Sequence, residues 1–139
     1  MLSVQEVEQT HIRRKRQPDL RPNERAGLAA FLERLRQRYG DDLLRVVLFG
    51  SKARGDFDTE SDVDVLVVLR ERDRWKSLHA ITDLTSQLLL ESGVNISALV
   101  CDVARYRWWA AHRAPIYNSI QRDGVELWTK PKEPLSKSV

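Results

Sequence analysis

A chain of 139 residues, 42% hydrophobic and 31% charged, has room for one core and one site, which excludes a wholly disordered polymer and a second large domain within this length. Its single cysteine, Cys101, excludes an internal disulfide framework and a Cys-based zinc cluster, and is expected to be a buried strand residue. The net charge of +3 conceals two opposite stretches, the basic HIRRKRQPDLR and the acidic DFDTESDVD.

The N-terminal MLSVQEVEQT lacks the apolar core of a signal peptide, and no apolar run approaches the roughly 20 residues that span a bilayer, so a cytoplasmic protein with no membrane partner is expected. Residues 1–21 read as a basic, flexible arm. Such an arm can meet phosphates, but a short Arg/Lys run ahead of a helix is more often simply solvated, so nucleic acid is not the expected partner.

From Pro22 the pattern turns helical, with Leu28, Phe31, Leu32, Leu35 and Tyr39 at helical spacing and Gly40 as a stop. LLRVVLFG then reads as a buried strand, SKARGDFDTES as a loop or short helix, and DVDVLVVL as an interior strand, apolar on both faces after an acidic start. A second long helix carries Trp75, Leu78, Ile81, Leu84 and Leu88 as its apolar stripe and ends at Gly93. VNISALV is a third strand, VARYRWWAAHR and PIYNSIQRDG are two short helices, and VELW is a final edge strand. The expectation is an α/β (α+β) domain over residues 22–128, a small mixed sheet flanked by helices, with residues 129–139 as a mobile tail. Trp108 and Trp109 are expected to pack, in the core or on a partner surface, rather than to stack on bases.

The chemistry concentrates between Gly50 and Asp64. GSKARG has the glycine spacing of a Walker A loop, but Asp56 and Phe57 stand where Lys-Ser/Thr is required. The acids from Asp56 to Asp62 alternate as in an EF-hand, yet Ser61 replaces the turn glycine and Val67 the bidentate glutamate. A strand-borne metal site fits better. Asp62 and Asp64 fall on the same side of a strand, whereas Val63 and Val65 point to the other. Two converging carboxylates on a rigid element suit Mg²⁺, which takes further ligands from water and substrate phosphates. Gly50 and Ser51, leaving the preceding strand, would let backbone N–H groups and a hydroxyl approach a triphosphate, with Lys52 and Arg54 adding positive charge.

The run GSKARGDFDTESDVD resembles the G-S-x-A-R-G-D…S-D-x-D pattern of the DNA polymerase beta-like nucleotidyltransferase superfamily, and within it the minimal nucleotidyltransferase (MNT) branch. The pattern is met by Gly50, Ser51, Ala53, Arg54, Gly55, Asp56, Ser61, Asp62 and Asp64. The resemblance implies the nucleotidyltransferase fold, nucleotide binding by Gly50 and Ser51, and Mg²⁺ coordination by Asp62 and Asp64 as catalytic ligands. It implies transfer of AMP from ATP to an acceptor. MNT proteins are commonly antitoxins of HEPN-type toxins, so the implied partner and acceptor is such a protein. Arg54 is expected to brace the loop against an acid.

Members that transfer nucleotides usually carry a third carboxylate on a neighbouring strand. The matching face of VNISALV offers Asn95, Ser97 and Leu99, none a base at neutral pH, and Asp102 follows just beyond. The alternative is therefore an MNT antitoxin that binds nucleotide with little or no turnover and neutralises its partner by contact.

Overall fold

The computed structural model describes residues 18, 20–55, 62–70 and 73–131. Most of the basic arm, the acidic loop from Asp56 to Ser61 and residues 132–139 lie outside the described residues.

Helix α1 spans Pro22–Tyr39, with Pro at its first position, where a missing N–H costs nothing. Glu24 accepts the Arg21 N–H at 2.8 Å and so satisfies the entry to the helix. A 3₁₀ turn, Gly40–Asp42, leads into strand β1, Leu43–Phe49. The short helix α2, Gly50–Arg54, follows at once, and strand β2 runs over Val63–Leu69. Helix α3, Arg74–Ser92, is capped by the Asp73 carboxylate, which accepts the N–H groups of Trp75 and Lys76. Strand β3, Ile96–Asp102, helix α4, Val103–Ala111, helix α5, Pro115–Asp123, and strand β4, Val125–Thr129, complete the order.

The sheet order is β3-β2-β1-β4. β1 is antiparallel to β2 and to β4, while β2 and β3 are parallel and joined through α3. The fold is thus mixed α/β with helices on both faces, as expected. Alternation along β2 divides two cores. Val63, Val65, Val67 and Leu69 join Leu28, Phe31 and Leu35 of α1 and Ile81 and Leu88 of α3. Leu66 and Val68 face Val47, Cys101 and Ile120, with Tyr106 and Trp109 packed on them. Each fully buried Leu, Ile or Phe contributes roughly 1.5–3 kcal/mol, so the first and larger cluster dominates stability.

Three expectations need correction. The buried stripe of α3 is Ser77, Ile81 and Leu88 with Leu84 beside them, whereas Trp75 is 70% and Leu78 39% exposed. The helix packs on β3 and α1 along the 77-81-84-88 line, which leaves Trp75 and Leu78 off the contact. β3 begins and ends two residues later than VNISALV, because its ladder with β2 runs from Ile96 opposite Val63 to Asp102 opposite Leu69. β4 extends to Thr129, inside the expected tail. Trp109 packs and Trp108 is half exposed, stacked on His112, which agrees with the expectation of core or partner surface for the pair. Among the described residues no helix is long and apolar enough to cross a membrane.

Candidate functional site

The antiparallel register sets Phe49, the last residue of β1, opposite Asp64 near the start of β2. The next residue, Gly50, therefore lies against the Asp64 carboxylate. A Cβ at Gly50 would fall on Asp64 Oδ2 and would lie 3.2 Å from its Cγ. Gly50 also has φ +77, a conformation that L side chains rarely adopt. Glycine is required here twice over, once for the turn and once for the neighbour.

Asp62 is exposed just before β2, and its Oδ1 accepts a hydrogen bond from Asn95 Nδ2 at 2.8 Å. Asp64 is half-buried on the same side of the strand, the side that continues inward as Leu66 and Val68. Burial pushes the Asp64 carboxyl above the usual carboxylate range, the Asp62 charge adds to this, and Arg54 partly offsets both. Two acids on one side of a strand, one of them held at an electrostatic cost, form a hard-oxygen donor set that suits Mg²⁺. Among the described residues there is no group of three or more His, Cys, Asp or Glu side chains able to hold a metal.

Ser51 directly follows Gly50 in α2 and is partly exposed. Arg54 ends the same turn close enough to act on Asp64. Lys52 departs from expectation. Its side chain is 1% exposed, and its Nζ lies 3.3 Å from Glu24 Oε2 and 3.4 Å from Oε1. A helical turn sends successive side chains to different sides, so with Ser51 at the surface Lys52 enters the core beneath α2. Burial alone would raise the Glu24 carboxyl, but the Arg21 N–H, the Arg21 guanidinium and Lys52 outweigh it and hold it below the usual range. Glu24 was not legible as part of this region. Its position in the first turn of α1 marks a cap, and nothing in the sequence links it to Lys52.

The parallel register of β2 and β3 pairs Asp64 with Ser97 and Leu66 with Leu99. Asn95 and Ser97 thus flank the acid pair, as the alternation predicted. Asp102 does not. It pairs with Leu69 at the far end of the strands and accepts the Arg105 N–H as the cap of α4. Five residues of strand separate it from Ser97, roughly 16 Å at about 3.3 Å per residue.

A family model described as a nucleotidyltransferase domain matches residues 28–104, from α1 to the start of α4. "Putative protein adenylyltransferase MJ1305" of Methanocaldococcus jannaschii is 39% identical over 80 residues, 54% of this chain and 52% of that protein, so the chain spans about half the length of this relative. A solved structure described as a "putative minimal nucleotidyltransferase" is 31% identical, with a TM-score of 0.50 over 74% of this chain and 91% of that one. A toxin-antitoxin structure solved with AMP-PNP shares the fold at 18% identity, with a TM-score of 0.50 over 73% of each chain. Since the family match spans residues 28–104, more than half of its length, the chain belongs to the nucleotidyltransferase domain family.

Proposed function

We propose that this chain is a Mg²⁺-dependent nucleotidyltransferase that moves AMP from ATP to a side chain of a partner protein, with residues 22–129 as the working unit. The observation that carries the reading is the Asp64 carboxylate set against the turn at Gly50, with Asp62 near enough for its charge to act on it. The relative named for protein adenylyltransfer supports AMP and a protein acceptor. The toxin-antitoxin neighbour speaks for the fold alone; the partner to test, a HEPN-type toxin, is the one that the MNT resemblance implies.

Asp62 and Asp64 would hold the Mg²⁺, which when bound neutralises triphosphate charge and polarises the phosphoryl group. Asn95 fixes the orientation of the Asp62 carboxylate through its 2.8 Å hydrogen bond. Gly50 lets the turn close against the Asp64 carboxylate, and Ser51 offers its hydroxyl and N–H to phosphate oxygens. Arg54 steadies Asp64. In the transfer, the acceptor oxygen bonds to the α-phosphorus as the bond from that phosphorus to the pyrophosphate oxygen breaks, and the acceptor loses its proton.

The second reading, a nucleotide-binding antitoxin with little turnover, is favoured by one observation. Asn95 and Ser97 hold the β3 positions beside the acid pair, and neither accepts a proton at neutral pH. Incubation with ATP labelled at the α-phosphate, Mg²⁺ and the product of the adjacent gene separates the two. Label on the partner, lost in Asp62→Asn/Asp64→Asn, is the expected result. Tight partner binding with no label on any acceptor would favour the antitoxin reading.

A further inference from the structure

At the opposite end of β2 and β3 from the acid pair lies a second concavity of about 240 Å³. Leu69 and Asp64 are five residues apart on β2, roughly 16 Å along the strand, so the two sites do not overlap. The rim carries three guanidinium groups, Arg70 at the end of β2, Arg74 at the start of α3 and Arg105 in α4. Arg70 is steadied by Asp42 at 3.3 Å. Neither Arg74 nor Arg105 forms a side-chain ion pair with another described residue. Leu69, Leu99 and Val100 supply apolar lining, and the Trp109 ring stands at one side.

Ser77 is the informative residue. It is 95% buried at a position of α3 otherwise filled by Ile81 and Leu88, it lines this concavity, and its hydroxyl makes no hydrogen bond to another described residue. The hydroxyl oxygen itself is not buried, so it opens on the concavity and a ligand acceptor can reach it. Among the described residues the only acid on the lining, Asp102, is already engaged as the cap of α4. Cys101 is no nucleophile here, since burial pushes its thiol up to about 12, with the Asp102 charge adding to this and Arg105 opposing it.

We propose that this concavity binds a phosphate monoester carrying a small apolar or aromatic group, the phosphate held by Arg74, Arg105 and the Ser77 hydroxyl and the group seated against Leu99 and Trp109. Guanidinium groups match phosphate oxygens in fork geometry, and the Ser77 hydroxyl adds a neutral donor beside them. A volume of about 240 Å³ lies below the range typical of drug-sized ligands, which favours a small ester over an intact nucleoside triphosphate.

The test uses the full chain in EDTA, which removes divalent cations from the acid pair. Phenyl phosphate and inorganic phosphate are titrated by calorimetry and by amide NMR. Phenyl phosphate should bind saturably, shifting the amides of Ser77, Leu99 and Arg105 and leaving those of Gly50 and Asp64 unmoved. Inorganic phosphate should bind at least about tenfold more weakly, because the buried ring is missing. Arg74→Ala/Arg105→Ala, both at exposed side chains, should weaken phenyl phosphate by about tenfold or more, and Ser77→Ala by a smaller factor. Failure of phenyl phosphate to saturate, equal affinity for the two probes, or an unchanged affinity in the double variant would overturn the assignment.

Discussion

Gly50 and Asp64 occupy one another's space. Without a side chain the glycine sits against the carboxylate, and any Cβ would fall on Oδ2. Gly50→Val should therefore displace Asp64 and strain a backbone held at φ +77, a conformation that costs an L residue about 1–2 kcal/mol. The expected outcome is loss of Mg·ATP binding by calorimetry with native circular dichroism retained. An unchanged affinity in the folded variant would separate this turn from the nucleotide.

Asp64 also gives a signed pH effect. Burial first, and then Asp62, raise its folded pKa above the ordinary 3.8, so the folded state holds the proton more tightly than the unfolded chain. Stability is thus lost as pH rises from 3.8 through the raised folded value, and the penalty persists at neutral pH. Asp64→Asn should melt higher than the natural protein at pH 7 without divalent cations, and the difference should close below pH 3.8. Saturating Mg²⁺ should stabilise the natural protein and leave the variant unmoved. If the variant melts lower at pH 7 in EDTA, the carboxylate is not held at a cost.

The Glu24–Lys52 pair makes a third test. With exposures of 4% and 1%, removing Lys52 leaves the buried Glu24 carboxylate to Arg21 alone, and breaking a buried pair costs up to about 3–5 kcal/mol. Lys52→Met should destabilise by about that amount, while Glu24→Leu/Lys52→Met should recover much of it. Denaturant melts of the three chains measure this. The lowered Glu24 carboxyl adds a pH signature, because its stabilisation is present above 4.5 and is lost as pH falls through the folded value. In the double variant that acid-side loss should shrink. Equal stability of Lys52→Met and the natural chain would place the ammonium in water, where a phosphate could reach it.

How much of this was legible follows from the range of each interaction. The side that Asp62 and Asp64 share on β2, and that Asn95 and Ser97 share on β3, could be read because period-two alternation is local, whereas the order of the strands came only from the structure. Lys52 was misplaced because its partner lies 28 residues away on α1, and nothing local distinguishes a lysine that enters the core from one that faces phosphate. Trp75 and Leu78 were misread for a related reason. Their spacing suits a stripe, but the packing face was chosen by β3 and α1, which prefer the line through Ser77 and Ile81. The register of β3 could not be set from its composition, which left Asp102 open as a metal-site residue until its pairing with Leu69 placed it at the other end.

The position beside the acid pair can be changed directly. Ser97 pairs with Asp64 across parallel strands, so its side chain emerges next to the carboxylate on the same side of the sheet. Ser97→Asp would place a third acid there without disturbing the hydrogen bond from Asn95 to Asp62. Asn95→Asp would remove that hydrogen bond and set a second charge against Asp62, so it should help less or harm. A positioned general base typically contributes about 10² to 10⁴ in rate. Ser97→Asp is therefore expected to raise AMP transfer to the partner by that order if the natural chain is limited by the missing base. The added charge should push Asp64 further up and lower the stability of the metal-free protein, which a melt in EDTA would record. Brisk transfer by the natural chain, slowed by Ser97→Asp, would mean that the proton leaves by another route and that Ser97 already serves its purpose as a hydroxyl.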